Sequence, residues 1–82
     1  MRVEFFGIPR ERAGVAELEI QAETLGDLFV TLATRFPSLG ELAQSGRSPF
    51  LANLNGNRFV SDPGTRLSET DCVLILSAEA GG

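Results

Sequence analysis

Apolar and polar residues alternate along two segments near the start of the chain. In residues 2–7 Val3 and Phe5 lie on one face of the predicted strand. Phe6 lies on the opposite face, together with the charged residues Arg2 and Glu4. A second run, residues 15–22, has the regular alternation of a half-solvated antiparallel strand. Because a period of two is that of a strand, the two runs predict a hairpin joined by a loop over residues 8–14.

Helical periodicity follows in residues 25–36, where apolar residues recur every three or four positions. Thr24 stands where an N-cap is expected, and Asp27 comes three residues later. Pro37 predicts the end of this helix. Residues 38–49 are rich in Ser, Gly and Pro, so they are predicted to be mostly connecting loop, with at most a short helical turn.

The second half of the chain predicts three more strands. Alternation resumes at residues 50–54, and Asn55-Gly56 supplies residues that tolerate positive φ in a tight hairpin turn before a short strand at residues 58–60. The run Cys72-Val73-Leu74-Ile75-Leu76 is almost entirely apolar, as expected of a central strand. Since Leu74 and Leu76 have the opposite parity to their neighbours, one of the two sets must leave the helix-packed core.

This element order predicts an α+β fold of the β-grasp, or ubiquitin-like, type. About five strands form a mixed sheet with the first and last strands adjacent and parallel, and one main helix packs across one face. Another split α+β sheet is the alternative with the same elements. A chain of 82 residues has room for one core, so residues 1–76 are predicted to form the domain and residues 77–82 a flexible C-terminal Gly-Gly tail.

Composition excludes several classes of function. A net charge of −4 and a pI near 4.6 argue against nucleic acid as a partner. No apolar run is long enough for a membrane span or a signal peptide, so a cytoplasmic location is expected. The chain has one cysteine, Cys72, and no histidine, so no metal site and no intrinsically bound cofactor are expected. All seven basic residues are arginines, which leaves no lysine to which another copy of the chain could be linked.

The chemistry that stands out is at the C-terminus, where the sequence closes on Gly81-Gly82. Glycines without side chains let the backbone enter a narrow channel, and six extended residues reach about 20 Å. The reactive group would be the α-carboxylate of Gly82, which is a poor electrophile until ATP converts it to an acyl-adenylate. The sequence has no phosphate-binding loop of the GxxxxGK[ST] type and no lysine, so activation is expected to need ATP bound by a separate protein.

Several features together resemble the MoaD-like small subunits of molybdopterin synthase, within the ThiS and MoaD superfamily of sulfur carriers. The resemblance spans essentially the whole chain. It rests on these residues in order: Phe5-Phe6, Arg10-Glu11, Gly14, the turn at Asn55-Gly56 and the terminal Gly81-Gly82.

The resemblance implies a carrier cycle and a set of partners. A MoeB-like enzyme would adenylate Gly82, and a sulfur donor would convert it to a thiocarboxylate. The tail would then enter a MoaE-like large subunit, where the sulfur builds the dithiolene of molybdopterin. The chain would be a non-catalytic subunit of a hetero-oligomer. The resemblance also implies partner-binding roles for four residues: Phe6, Arg10, Phe59 and Leu76.

Other functions stay open on the sequence alone. Many MoaD sequences carry an aromatic residue and prolines before the terminal glycines, whereas this chain has Ser77-Ala78-Glu79-Ala80. The acceptor could therefore belong to tRNA thiolation, or to thiamine or cysteine synthesis. A ubiquitin-like protein modifier and a binding module that does not use the tail are the two remaining hypotheses.

Overall fold

The computed structural model describes residues 1–44 and 50–77 of the chain. In this part of the chain five strands and three helices follow one another. They are β1 (Arg2–Phe5), α1 (Ile8–Ala13), β2 (Glu17–Glu19), α2 (Leu25–Arg35), α3 (Pro37–Gln44), β3 (Phe50–Leu54), β4 (Arg58–Val60) and β5 (Cys72–Ser77).

The strands form one mixed sheet in the order β2-β1-β5-β3-β4. β1 and β5 are parallel, with Val3 paired to Val73, whereas the other neighbouring pairs are antiparallel. This arrangement confirms the predicted β-grasp, with the near-continuous apolar strand β5 at the centre of the sheet. β5 includes Ser77, one residue beyond the predicted end of the strand.

Helix α2 forms where the periodicity predicts it, and its start is capped as expected. The Thr24 side chain accepts a hydrogen bond of 3.2 Å from the backbone N–H of Asp27. The apolar stripe of α2 is buried against one face of the sheet, and the rings of Phe5 and Phe36 meet edge to face at 6.0 Å. The core consists of the buried residues Met1, Val3, Phe5, Ile20, Leu25, Leu28, Leu32, Leu39, Ala52, Leu54, Val73 and Ile75.

The prediction of a loop over residues 8–14 was wrong, because six of those residues form α1. Pro9 lies in the first turn of this helix, where its missing N–H costs nothing, and its side chain is buried. The helix ends at Gly14, which is left-handed and donates its N–H to the Arg10 carbonyl. Six residues are too few for the helical period to be distinguished from a loop in the sequence.

The prediction that residues 38–49 are mostly loop was also wrong, since α3 begins at Pro37 and continues to Gln44. Pro37 therefore ends one helix and occupies the first turn of the next. Leu39 is fully buried, and Gly40 lies so close to α2 that a Cβ there would be 3.2 Å from the Cβ of Ala33. Tertiary packing thus stabilises a helix that contains Ser and Gly.

The hairpin between β3 and β4 turns at Asn55-Gly56, as predicted. Both residues have positive φ, 57° and 72°, which Asn and Gly tolerate better than other residues. The Asn55 side chain also fixes the start of β5, because its amide donates to Asp71 Oδ1 at 2.9 Å and its oxygen accepts the Cys72 N–H at 2.7 Å.

Candidate functional site: an apolar patch beside the end of the last strand

A set of apolar side chains projects from the sheet face opposite α2. We call this set the outer patch: Phe6, Leu51, Phe59, Leu74 and Leu76. Phe6 and Phe59 are 62% and 61% exposed, and Leu51 is exposed at 36%. Leu74 and Leu76 are partly exposed, whereas Val73 and Ile75, which alternate with them along β5, are fully buried. Strand parity therefore separates the core from the outer patch, as the sequence predicted for β5.

The strand register brings the members of the outer patch together. Leu76 pairs directly with Leu51, and Asn53 pairs with both Leu74 and Phe59. Side chains of directly paired residues share one face at a separation of about 5 Å. Phe6 stays beside β5, because its N–H donates to the Ile75 carbonyl at 3.0 Å.

The outer patch adjoins the place where β5 ends. β1 and β5 run in the same direction, and α1 follows the end of β1 and packs against β5. Leu51, Leu76 and Phe6 lie at this end of the sheet, and Phe59 and Leu74 lie about 7 Å further back along the strands. A partner bound to the outer patch would therefore also face the point where the chain leaves Ser77.

Arg10, the fourth residue predicted to bind a partner, lies on α1 and is exposed. It is thus at the same end of the molecule as Phe6 and Leu76, although it is not part of the apolar surface. Its neighbour Arg12 is also exposed and donates to the Ser38 hydroxyl at 3.2 Å, linking α1 to α3. The helix that packs against β5 thus carries two exposed arginines, together with the exposed acidic Glu11.

Sequence reasoning missed Leu51 as a member of this surface. The signal was present, because the alternation that places Phe50, Ala52 and Leu54 on the core side leaves Leu51 on the other side. The register that pairs Leu51 with Leu76 could not be read from the sequence, since it depends on how β3 aligns with β5.

The far end of the same sheet face is polar. Arg2 forms ion pairs with Glu4 at 3.5 Å and Glu17 at 3.6 Å, and the Cys72 thiol donates to Glu4 Oε1 at 3.2 Å. Burial raises the pKa of the Cys72 thiol, and the hydrogen bond to Glu4 raises it further. The pKa of Arg2 is also raised, first by its hydrogen bond to Cys72 and then by the charge of Glu4. The thiol is therefore held protonated, which is the opposite of what a nucleophilic cysteine needs.

Gly81 and Gly82, the residues predicted to carry the chemistry, lie outside the described residues. Within residues 1–44 and 50–77 no three His, Cys, Asp or Glu side chains are grouped so that they could hold a metal ion. No helix in the same part of the chain is long and apolar enough to cross a membrane.

The fold and the position of the outer patch place this protein in the ubiquitin-like class of small β-grasp proteins. Within that class the sequence matches the model of the ThiS family over residues 3–82, so the chain belongs to the ThiS family. It thereby has the ubiquitin-like sulfur-carrier fold of the ThiS and MoaD superfamily, which confirms the resemblance inferred from the sequence.

Solved structures of similar proteins cover almost the whole chain. Small archaeal modifier protein 1 from Methanosarcina acetivorans is 26% identical, with 99% of this chain and 94% of that chain covered and a TM-score of 0.81. A protein named as molybdopterin converting factor subunit 1 from Pyrococcus furiosus is 25% identical, with 93% of each chain covered and a TM-score of 0.74. No curated protein matches the sequence significantly.

A third similar structure includes a partner. It is the complex of subunits 1 and 2 of the molybdopterin-converting factor from Helicobacter pylori, with 25% identity, 99% of this chain and 96% of that chain covered and a TM-score of 0.67. Proteins with this fold therefore occur both as modifiers and as subunits of complexes.

Proposed function

We propose that this protein is the small, sulfur-carrying subunit of a molybdopterin synthase. In this proposal the α-carboxylate of Gly82 is adenylated, converted to a thiocarboxylate and inserted into a large subunit, where its sulfur is transferred. The observation that carries the proposal is the outer patch beside the end of β5, in a chain that belongs to the ThiS family and closes on Gly81-Gly82.

The carrier chemistry needs two displacements at the chain end. A carboxylate oxygen of Gly82 attacks the α-phosphate of ATP, and pyrophosphate leaves. A hydrosulfide ion supplied by the sulfur donor then attacks the carbonyl carbon, the bond to the AMP oxygen breaks, and AMP leaves with a thiocarboxylate as the product. The sequence has no lysine, no histidine and no GxxxxGK[ST] loop, so ATP would be bound by a MoeB-like partner and this subunit would bind no cofactor of its own.

The outer patch supplies a docking surface for that chemistry. Phe6 and Phe59 are each more than half exposed, and aromatic side chains contribute much of the binding energy at many interfaces. An apolar surface next to the root of the tail would orient the tail toward the partner's active site. Arg10 would lie at the margin of the same interface. The complex of subunits 1 and 2 from Helicobacter pylori supports a large subunit as the partner.

The direct test is reconstitution of sulfur loading and transfer. The purified chain is incubated with a MoeB-like enzyme, ATP and a sulfur donor, and then with a MoaE-like subunit and cyclic pyranopterin monophosphate. The full chain should gain a thiocarboxylate at Gly82 and yield molybdopterin. A chain lacking Gly81-Gly82 should fold normally and yield none, and product from that truncated chain would refute the proposal.

A second candidate function is protein modification, favoured by the similarity to small archaeal modifier protein 1. In that case the activated Gly82 would be joined to lysines of other proteins. Immunoblots of cell extract separate the two candidates, since a modifier gives adducts of higher mass that disappear when Gly81-Gly82 are removed. A carrier without conjugation gives none.

A further inference from the structure

An activated C-terminus is a hazard to the protein that carries it. A neutral amine that attacks the Gly82 carbonyl carbon of an acyl-adenylate forms a C–N bond, expels AMP and loses its proton to water. The resulting amide is stable, so a carrier joined to another copy of itself is withdrawn from the cycle. How this chain avoids such a reaction depends on its amino groups.

The amino groups of the chain are few. None of the 82 residues is a lysine, so no side chain carries a primary amine. The α-amino group of Met1 is the remaining one, and Met1 is only 6% exposed. An α-amino group is ordinarily the most reactive amine near neutral pH, because its ordinary pKa of about 8 leaves far more of it neutral than a lysine.

The structure fixes this amino group as an extension of the β1–β2 ladder. Met1 N donates to the Ile20 carbonyl at 3.0 Å, and Ile20 N donates back to the Met1 carbonyl at 3.0 Å. Glu19 Oε2 lies 3.6 Å from the same nitrogen. Attack on an acyl group requires the nitrogen lone pair, so these contacts must open before the amine can react.

The surroundings of Met1 add an electrostatic barrier. Two grooves beside it are lined in part by the carboxylate-bearing residues Glu19, Glu23 and Glu69. An acyl-adenylate carries a negative phosphate, so it is repelled from this part of the surface.

We infer that the folded chain is closed to acylation by its own activated C-terminus, because its single amino group is buried and bonded at Met1 and no lysine is present. This inference rests on the proposed activation of Gly82. An activated copy can then be discharged only by another kind of molecule, whether a sulfur donor or an acceptor protein. Chains of this protein linked through amides do not form.

The first test measures amine accessibility and needs no partner enzyme. Arg66 is exposed, so Arg66→Lys provides a reference amine on the same molecule. The variant is treated near neutral pH with a limiting amount of the N-hydroxysuccinimide ester of acetic acid, and the acetylated site is located by peptide mass mapping. In the folded protein the introduced lysine should be acetylated first. In concentrated urea the order should reverse, because the neutral fraction favours the α-amine by about 10². Faster acetylation of Met1 in the folded protein would overturn the inference.

The second test uses the activated protein. After adenylation by a MoeB-like enzyme in the presence of ATP, the Arg66→Lys variant should form covalent dimers on a denaturing gel, whereas the natural chain should not. Dimers of the natural chain linked through Met1 would overturn the inference. If neither protein is adenylated, the proposed function fails, and the acetylation result still decides whether the amine is protected.

Discussion

Substitution of Phe59 is expected to affect partner binding strongly and the stability of the fold only slightly. It is 61% exposed on the edge strand β4 and belongs to the outer patch. We expect Phe59→Ala to weaken binding to the proposed large subunit by about 2 kcal/mol or more, as for an aromatic hot spot. Its free energy of unfolding should change by less than about 1 kcal/mol, because little buried area is lost. Calorimetric titration and denaturant unfolding give the two quantities.

Val30 provides the control for that experiment. It is 68% exposed on α2, on the opposite side of the sheet from the outer patch. Val30→Ala should leave both binding and stability almost unchanged. Equal loss of affinity in the two variants would show that the outer patch is not the docking surface.

Asp71 is expected to make the stability of the protein depend on pH. Its pKa is lowered from the ordinary value of 3.8, first by the hydrogen bond from Asn55 and then by the backbone N–H of Ser68. The unfolded state therefore takes up the proton at a higher pH than the folded state. The stabilisation is complete above about pH 4 and is lost as the pH falls through the lower, folded-state value.

The corresponding variant is Asp71→Asn, which should lower the free energy of unfolding at neutral pH by about 1 kcal/mol. It should also flatten the decline of stability in acid, measured by urea unfolding at a series of pH values. Replacement of the exposed neighbour Glu69 by glutamine is the control. The same acid profile in the two variants would show that Asp71 does not cause the pH dependence.

Among the helices, the start of α2 offers a direct test of capping. Thr24→Ala removes the acceptor for the Asp27 N–H and should cost about 1 kcal/mol of stability. Thr34→Ala on the same helix removes a hydroxyl that only donates to the Val30 carbonyl, so it should cost much less. Thermal unfolding of the pair isolates the contribution of the cap, and equal losses would argue against it.

Helix α3 matters to the core although its sequence does not predict a helix. Leu39 is 1% exposed and belongs to the main core cluster. We therefore expect Leu39→Ala to lower the free energy of unfolding by about 2–5 kcal/mol, measured in denaturant. A loss below about 0.5 kcal/mol, as for a surface loop, would contradict the position assigned to α3.

The sequence predicted helices and strands well where a periodic pattern extended over many residues, and turns where their residues tolerate positive φ. The stripe of α2 and the Asn55-Gly56 turn are of this kind, and both were confirmed. α1 and α3 were missed because short helices depend on tertiary contacts, such as Leu39 in the core and Gly40 against Ala33. The strand register that brings the outer patch together also depends on tertiary contacts. It could not be predicted from the sequence, since pairings such as Leu51 with Leu76 join distant parts of the chain.

At the scale of the whole molecule the sheet divides the protein into two functional halves. One face packs on the helices and stabilises the fold, while the other exposes the outer patch at the end where β5 finishes. In the proposed function the folded body presents the chain end. We expect removal of Gly81-Gly82 to leave the melting temperature within about 1 °C of that of the full chain. Differential scanning calorimetry checks this, and a large fall would mean that the glycines contribute to the fold.

The central claim is that Gly82 carries sulfur, and intact-mass spectrometry of the protein purified from its own host tests it most directly. A fraction of the molecules should be heavier than the unmodified chain by the mass difference between one sulfur and one oxygen atom. Tandem fragmentation should place the added mass at Gly82 rather than at Met1, where oxidation gives nearly the same change. The claim would be contradicted if protein purified rapidly from a host that is making molybdopterin carried only the unmodified carboxylate at Gly82.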